Sequence, residues 1–456
     1  MKEETKKNKY EIDMCSGPLF SKIVLFSIPL MLSGMLQLLF NAADIVVVGR
    51  FAGNEALAAV GSTSSLTNLL VNVFMGLSVG ANVLVARYYG AGQKKELDEM
   101  IHTAIATSII AGIFLVFLGF FLARPALAMM GTPEDVIDHS VLYMRIYFAG
   151  MPVMMLYNFG SAVLRAIGDT KRPLYYLLFA GVVNVVLNLI FVICFHMGVA
   201  GVALATVISQ AISAILVIRC LILNDGSVKL DIKKLRIVPD KLFRMIRIGV
   251  PAGLQGAMFS ISNVLIQSSV NSFGSIAMAG NTAAQNIEGF AYTAMNALHQ
   301  GAVSFSGQNY GAHKFKRIAK TAFICEGMVV VVGIIMSGLI LLLRYPLLGL
   351  YSTDAEVIQF GINRLLIICT TYFLCGMMDV MVGILRGMGY AIAPMIVSLT
   401  GVCALRVVWI YTIFAEYRTL QVLYISYPVT WTVTFLIQLL IFIIAYKRLQ
   451  KYETEI

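Results

Sequence analysis

The chain has 456 residues, 59% of them hydrophobic and only 13% charged, with a mean hydropathy of +0.83 and a formal net charge of +10. A soluble domain of this length needs more charge to cover its surface, so a large water-soluble body is excluded and an all-α membrane protein is expected. Seven cysteines are scattered without CxxC or Cys/His metal spacing and read as small buried hydrophobes.

Residues 1–22 form a polar, Lys-rich tail without the apolar core of a signal peptide. A helix needs about 20 apolar residues to cross a bilayer, and such runs recur along the whole chain. Six transmembrane helices are predicted near 23–48, 59–86, 101–123, 138–164, 173–196 and 199–221, making an N-lobe over 23–221. A polar, basic stretch from Arg219 to Phe243 follows, with 222–243 as the linker between lobes. Six more helices near 246–270, 283–309, 320–343, 360–385, 394–415 and 424–446 make a C-lobe over 244–446, and 447–456 is a C-terminal tail. With both termini cytoplasmic, all 34 Lys and Arg except Arg50, Arg124, Arg145, Arg344, Arg364, Arg406 and Arg418 fall on the inner side. That asymmetry is the positive-inside pattern, so the net charge reports topology and argues against nucleic-acid binding.

The second half repeats the first. At a single fixed offset, Gly53 falls on Gly274, Tyr89-Gly90-Ala91 on Tyr310-Gly311-Ala312, and Pro173 on Pro394. At the same offset Leu164-Arg165-Ala166-Ile167-Gly168 recurs as Leu385-Arg386-Gly387-Met388-Gly389. Pro29 and Pro251 correspond at an offset greater by one, which needs one indel. Six helices per copy insert both copies in the same direction, giving parallel-repeat lobes that can rock against each other. No glycine-rich loop ending in Lys-Ser or Lys-Thr is present to cradle a nucleotide. Secondary, ion-coupled transport is the reading that remains.

Several motifs carry a family resemblance. They are Phe26-Ser27-Ile28-Pro29, the run from Asn41 to Gly49 (NAADIVVVG), the doubled Leu-Arg-x-x-Gly, and the run from Gly198 to Thr206 (GVAGVALAT). Together these resemble the multidrug and toxic compound extrusion (MATE) family over nearly the whole chain, and most closely its DinF-like branch. The stretch around Phe259 and Ser260 is uncharged where the other main bacterial branch carries an acid. The resemblance implies twelve helices in two six-helix lobes and no enzymatic activity. It also implies export of organic, often cationic, compounds by H⁺ or Na⁺ antiport across the bacterial inner membrane. No cofactor and no nucleotide is expected, and a monomer is.

Intramembrane polar residues give the candidate sites. Gln37, Asn41 and Asp44 stand at i, i+4 and i+7 on one face of the first helix. A carboxylate within the bilayer costs roughly 2.5–3.5 kcal/mol and so marks a site. The plainer alternative is an interfacial carboxylate near Arg50. At about 1.5 Å per residue, Asn188 and Thr206 lie about 12 and 10 Å from the outer side, near Asp44 in depth, with Asn184 one turn below Asn188. By resemblance, Asp44, Asn184, Asn188 and Thr206 take the positions of the family's first-lobe cation site, a possible Na⁺ site. Other members often carry a second carboxylate where this chain has Asn188, and a single Asp suits H⁺ coupling at least as well. The two Asn and the Thr also read as simple interhelical hydrogen bonds.

In the C-lobe, Asp44 maps to Leu265 or Ile266, so its carboxylate has no counterpart. Glu288, Tyr292, Met295 and His299 share a face of the eighth helix, and Asp379 lies on the tenth. Depth pairs Asp379 with His299, while Arg406 in mid-helix needs an anion and Glu288 is a reachable candidate, which gives two structural bridges. With Gln37, Asn41 and Asn158, the residues Glu288, Tyr292, Met295 and Asp379 also make a candidate substrate-binding set. Pro29, Pro152 and Pro251 read either as packing kinks or as hinges. Two other functions remain open: a lipid-linked saccharide flippase, disfavoured because the intramembrane charges read as mainly acidic, and a non-transporting scaffold or receptor.

Overall fold

The computed structural model describes residues 10–455 apart from Gly131, Asp225 and Ser227, without the side chains of thirteen residues in 54–69 and 452–455. The described residues contain no strand; sixteen α-helices carry the chain. In the first half these are α1 (Leu19–Phe51), α2 (Asn54–Gly90), α3 (Lys94–Met129), α4 (Glu134–Ala149), α5 (Met151–Ala166), α6 (Lys171–Leu189) and α7 (Gly198–Ile222). In the second they are α8 (Pro239–Asn271), α9 (Ser275–Gly311), α10 (Phe315–Leu342), α11 (Arg344–Gly349), α12 (Ala355–Gly387), α13 (Ile392–Ser398), α14 (Leu405–Tyr411), α15 (Ile413–Glu416) and α16 (Leu420–Glu455). Two π-helical turns interrupt them, Ile190–Cys194 after α6 and Leu399–Ala404 between α13 and α14.

Ten helices among the described residues are long and apolar enough to cross a membrane, counting α6 with its π-turn and α13 to α15 as one each. The predicted fourth crossing is α4 and α5, bent by 47° at Gly150 and Pro152, so it is one broken span. The twelfth is α9. It carries Asn281, Gln285, Asn286 and Glu288 and is too polar to pass on composition alone. Asn281 and Glu288 are buried among the other helices of its lobe, whereas Gln285 and Asn286 are exposed.

The duplication is visible in the backbone. Gly53 (φ 90°) and Gly274 (φ 95°) both open a helix, and Gly168 (φ 92°) and Gly389 (φ 93°) both close the Leu-Arg-x-x-Gly turn. Each needs the left-handed region that only glycine enters cheaply. The compact units divide at different points from the expected lobes. The N-lobe is the segment ending at Asp13 with Leu32–Gly253, and the C-lobe is Met14–Met31 with Leu254–Ile456. Thus α1 and α8 each change unit two residues after Pro29 and Pro251.

The inner part of α8 joins the N-lobe through two glycine pairs. Gly76 and Gly80 on α2 face Gly249 and Gly253 on α8, and a Cβ on Gly76 would collide with the backbone of both partners. This is the small-xxx-small contact of membrane helices, in which backbones touch because nothing stands between them. On the C-lobe side, the start of α1 packs Phe26 edge-on against Phe305 of α9 at 5.6 Å. The preceding turn is held by Arg317, which donates to the carbonyls of Met14, Ser16 and Gly17.

Candidate functional site

The N-lobe site begins with a missing side chain. Gly181 on α6 leaves room for the Phe40 ring of α1, which fills the place a Cβ would take. One turn on from Phe40, α1 presents Asp44. Two turns on from Gly181, α6 presents Asn188, with Asn184 between. The Asn188 amide donates to the Asp44 carboxylate and, at 3.3 Å, to the side-chain oxygen of Asn184. The Asn184 amide reaches the Thr206 hydroxyl of α7 at 3.5 Å. Thr206 in turn donates to the Val202 carbonyl at 3.0 Å and also stands within reach of Asp44. The four residues predicted from depth and resemblance therefore form one connected polar network on α1, α6 and α7.

Two details bear on its chemistry. Asn188 is fully buried, and its side-chain oxygen has no hydrogen-bond partner. A buried acceptor left open is costly, so the network has one acceptor oxygen ready for a ligand. The network also carries one carboxylate and no cation. Its oxygens (two on Asp44, one each on Asn184, Asn188 and Thr206) suit a hard monovalent cation, and the carboxylate alone suffices to take up a proton. Just beyond Asp44 lies an apolar cluster of Val47, Val48, Val60, Val192, Val199 and Val202, with Tyr143 of α4 packed on it. Tyr143, near Asp44, had no signal in the sequence, because nothing there placed α4 opposite α1.

The candidate substrate residues do not form one set. Gln37 and Asn41 are exposed on α1, on the same helix face as the partly buried Asp44. Asn158 is occupied within its own helix, donating to the Met154 carbonyl at 2.8 Å. Met295 is 1% exposed and fills the spaces opposite Gly333 and Gly376, so it is core packing between α9, α10 and α12. Of the C-lobe candidates, Tyr292 alone presents its side chain, at 37% exposure. It stands beside the Asp379 carboxylate.

Both expected bridges are corrected. Glu288 pairs with Arg364, not Arg406: the guanidinium grips both carboxylate oxygens at 3.0 and 2.9 Å and donates to Asn281 at 2.9 Å. The sequence leaves Arg364, like Arg406, among the basic residues not assigned to the inner side, yet Arg364 enters its helix at nearly the depth of Glu288, and depth alone favours it. His299 meets Asp379 through the backbone, its Nδ1 lying 2.6 Å from the carbonyl oxygen, so that pair is no ion pair. The carboxylate of Asp379 instead faces Arg386, which also donates to Gln255 at 2.7 Å.

The reading of mainly acidic intramembrane charge is corrected as well. Glu326 on α10, with both carboxyl oxygens buried, escaped the sequence reading. So did the inward placement of Arg364 and Arg386, which with Arg406 put three buried arginines in the C-lobe interior beside the buried Glu288 and Asp379.

Known proteins are similar along the whole length. The MatE family model matches twice, at residues 29–190 and 251–412. The probable multidrug resistance protein YoeA of Bacillus subtilis is 29% identical over 424 residues, covering 91% of each chain. The multidrug export protein MepA of Staphylococcus aureus is 22% identical over 82% of each. A solved outward-facing multidrug resistance MATE family transporter of the MOP superfamily shares the fold, with a TM-score of 0.91 and 22% identity over 98% of this chain and all of that one.

Proposed function

Because the chain belongs to the MatE family of multidrug and toxic compound extrusion transporters, we propose that it is a secondary active antiporter of the plasma membrane. It exports organic, drug-like compounds in exchange for H⁺ or Na⁺, with its two lobes alternating between inward and outward access. The observation that carries the coupling assignment is the closed Asp44–Asn188–Asn184–Thr206 network, with a single carboxylate and one open buried acceptor. When a cation or proton occupies Asp44, the carboxylate is neutralised and α1 no longer needs Asn188 as its donor. That shifts the balance between arrangements of α1 and α6. Loss of the ion on the other side restores the bond.

The names of the relatives YoeA and MepA favour drug-like cargo. The three buried arginines of the C-lobe remove the main argument for cargo that is purely cationic. Both termini are assigned to the cytoplasm from the distribution of Lys and Arg, and the working unit is taken to be a monomer. The test is efflux of ethidium from cells expressing the protein. Asp44→Asn should abolish efflux at unchanged expression, and wild-type efflux from that variant would remove Asp44 from the coupling step.

A further inference from the structure

An arginine inside a membrane protein cannot escape its charge. A buried Asp, His or Lys can gain or lose a proton, but a guanidinium stays protonated at any physiological pH, so its surroundings must supply the compensation. In the C-lobe, Arg364 has Glu288 and Arg386 faces Asp379. Arg406 has neither. It is 4% exposed, and among the described residues no carboxylate forms an ion pair with it. Its Nε donates to the Thr430 hydroxyl at 3.3 Å, and its Cζ sits 4.1 Å above the centre of the Tyr427 ring. Arg364 lies 5.4 Å from the same ring, so two guanidinium groups share one phenol and a single carboxylate. A ring face offsets part of a cation's lost hydration, not its whole charge.

The repeat shows what Arg406 replaces. Pro173 and Pro394 keep the common offset of the repeat, but the ends of the two MatE matches, at 190 and 412, stand further apart by one. The added residue coincides with the π-turn Leu399–Ala404, whose wider turn holds one more residue than an α-turn. Beyond it, Arg406 stands where the first lobe has Asn184. At the same larger offset Asp44 corresponds to Ile266, which is buried. One copy thus has a carboxylate among neutral donors and acceptors; the other has a fixed cation and no carboxylate at that place.

We propose that Arg406, with Thr430 and Tyr427, forms an oxyanion-recognition site inside the C-lobe, and that its ligand is a carboxylate or phosphate group carried by the exported molecule. The assignment rests on the export reading and narrows its substrate class. Trp431 packs on Tyr427 at a ring separation of 5.5 Å and Tyr372 on Trp431 at 5.6 Å, so a buried aromatic cluster of low polarity adjoins the guanidinium.

The test compares rhodamine B, which has a free carboxylate, with its ethyl ester, which lacks one. Binding to the purified full-length protein in detergent is followed by fluorescence anisotropy. The acid should bind at least about tenfold more tightly than the ester. Arg406→Gln should erase the preference and Arg406→Lys should keep part of it, the latter also guarding against a Gln variant that fails to fold. Equal affinities in the wild type, or a preference that survives Arg406→Gln, would overturn the assignment. Displacement of rhodamine B by phosphatidylglycerol, with no transport of the dye, would give the site to lipid and overturn it as a cargo site. Gradient-driven transport of the ester without any preference for the acid would leave the export reading standing and remove this one alone.

Discussion

At the scale of single residues, the chemistry lies in a few buried polar groups, and the N-lobe set was the most legible. Depth along a helix follows from residue number at about 1.5 Å per step, so Asp44, Asn188 and Thr206 could be matched before any packing was known. Glu288 is matched to Arg406 in the sequence because a mid-helix arginine needs an anion, although depth favours Arg364, which faces it. The Asp44 network leads to a directional prediction. Asn188→Asp adds a second carboxylate beside Asp44 and should raise Na⁺ affinity on the order of tenfold, about 1.4 kcal/mol. Na⁺-dependent quenching of an intrinsic fluorophore reads this out; an unchanged or weaker Na⁺ response would argue against cation coordination by Asn188.

The Glu288–Arg364 pair makes a contrasting prediction, because it is structural. Arg364→Leu leaves a carboxylate buried without its counter-charge and should destabilise the C-lobe by about 3–5 kcal/mol. The double replacement Glu288→Leu with Arg364→Leu should recover much of that loss. Melting in detergent compares the two variants, and additive losses would mean that the pair does not act as a unit.

At the scale of elements, every crossing but α9 was readable from apolar run length, while the breaks within them were not. A bent α4–α5 pair and two π-turns depend on local hydrogen-bond register, which composition does not encode. Part of the polarity of α9 follows from its packing, as the buried Asn281 and Glu288 meet Arg364 of α12. The α2–α8 crossing could have been read from Gly76-x-x-x-Gly80 and Gly249-x-x-x-Gly253, although not which motif met which. Gly76→Leu forces a side chain into backbone and should lower stability by about 3 kcal/mol or more. Gly327→Ala on α10, where a Cβ meets nothing, should raise it by roughly 0.5–1 kcal/mol through helix propensity. Thermal unfolding of both variants checks this pair of opposite signs, and an unchanged melting point for Gly76→Leu would refute the close glycine crossing.

At the scale of the molecule, a duplicated scaffold carries unduplicated chemistry. Gly53 and Gly274, and Gly168 and Gly389, hold nearly the same backbone angles at the same offset, so turn geometry was copied and kept. The interior side chains were not: Asp44 and its amide partners occur in one lobe, and Arg406 with its aromatic neighbours in the other. The sequence exposed the repeat because glycine and proline at fixed offsets resist coincidence. It did not expose the point at which α1 and α8 change unit, since packing partners, not composition, decide that.

The central claim is that one carboxylate in the N-lobe couples ion flow to export. Its most direct test is dye transport in proteoliposomes under an imposed Na⁺ gradient and, separately, an imposed pH gradient. The wild type should transport under at least one of them, and Asp44→Asn under neither. Transport by Asp44→Asn at the wild-type rate under either gradient would contradict the account.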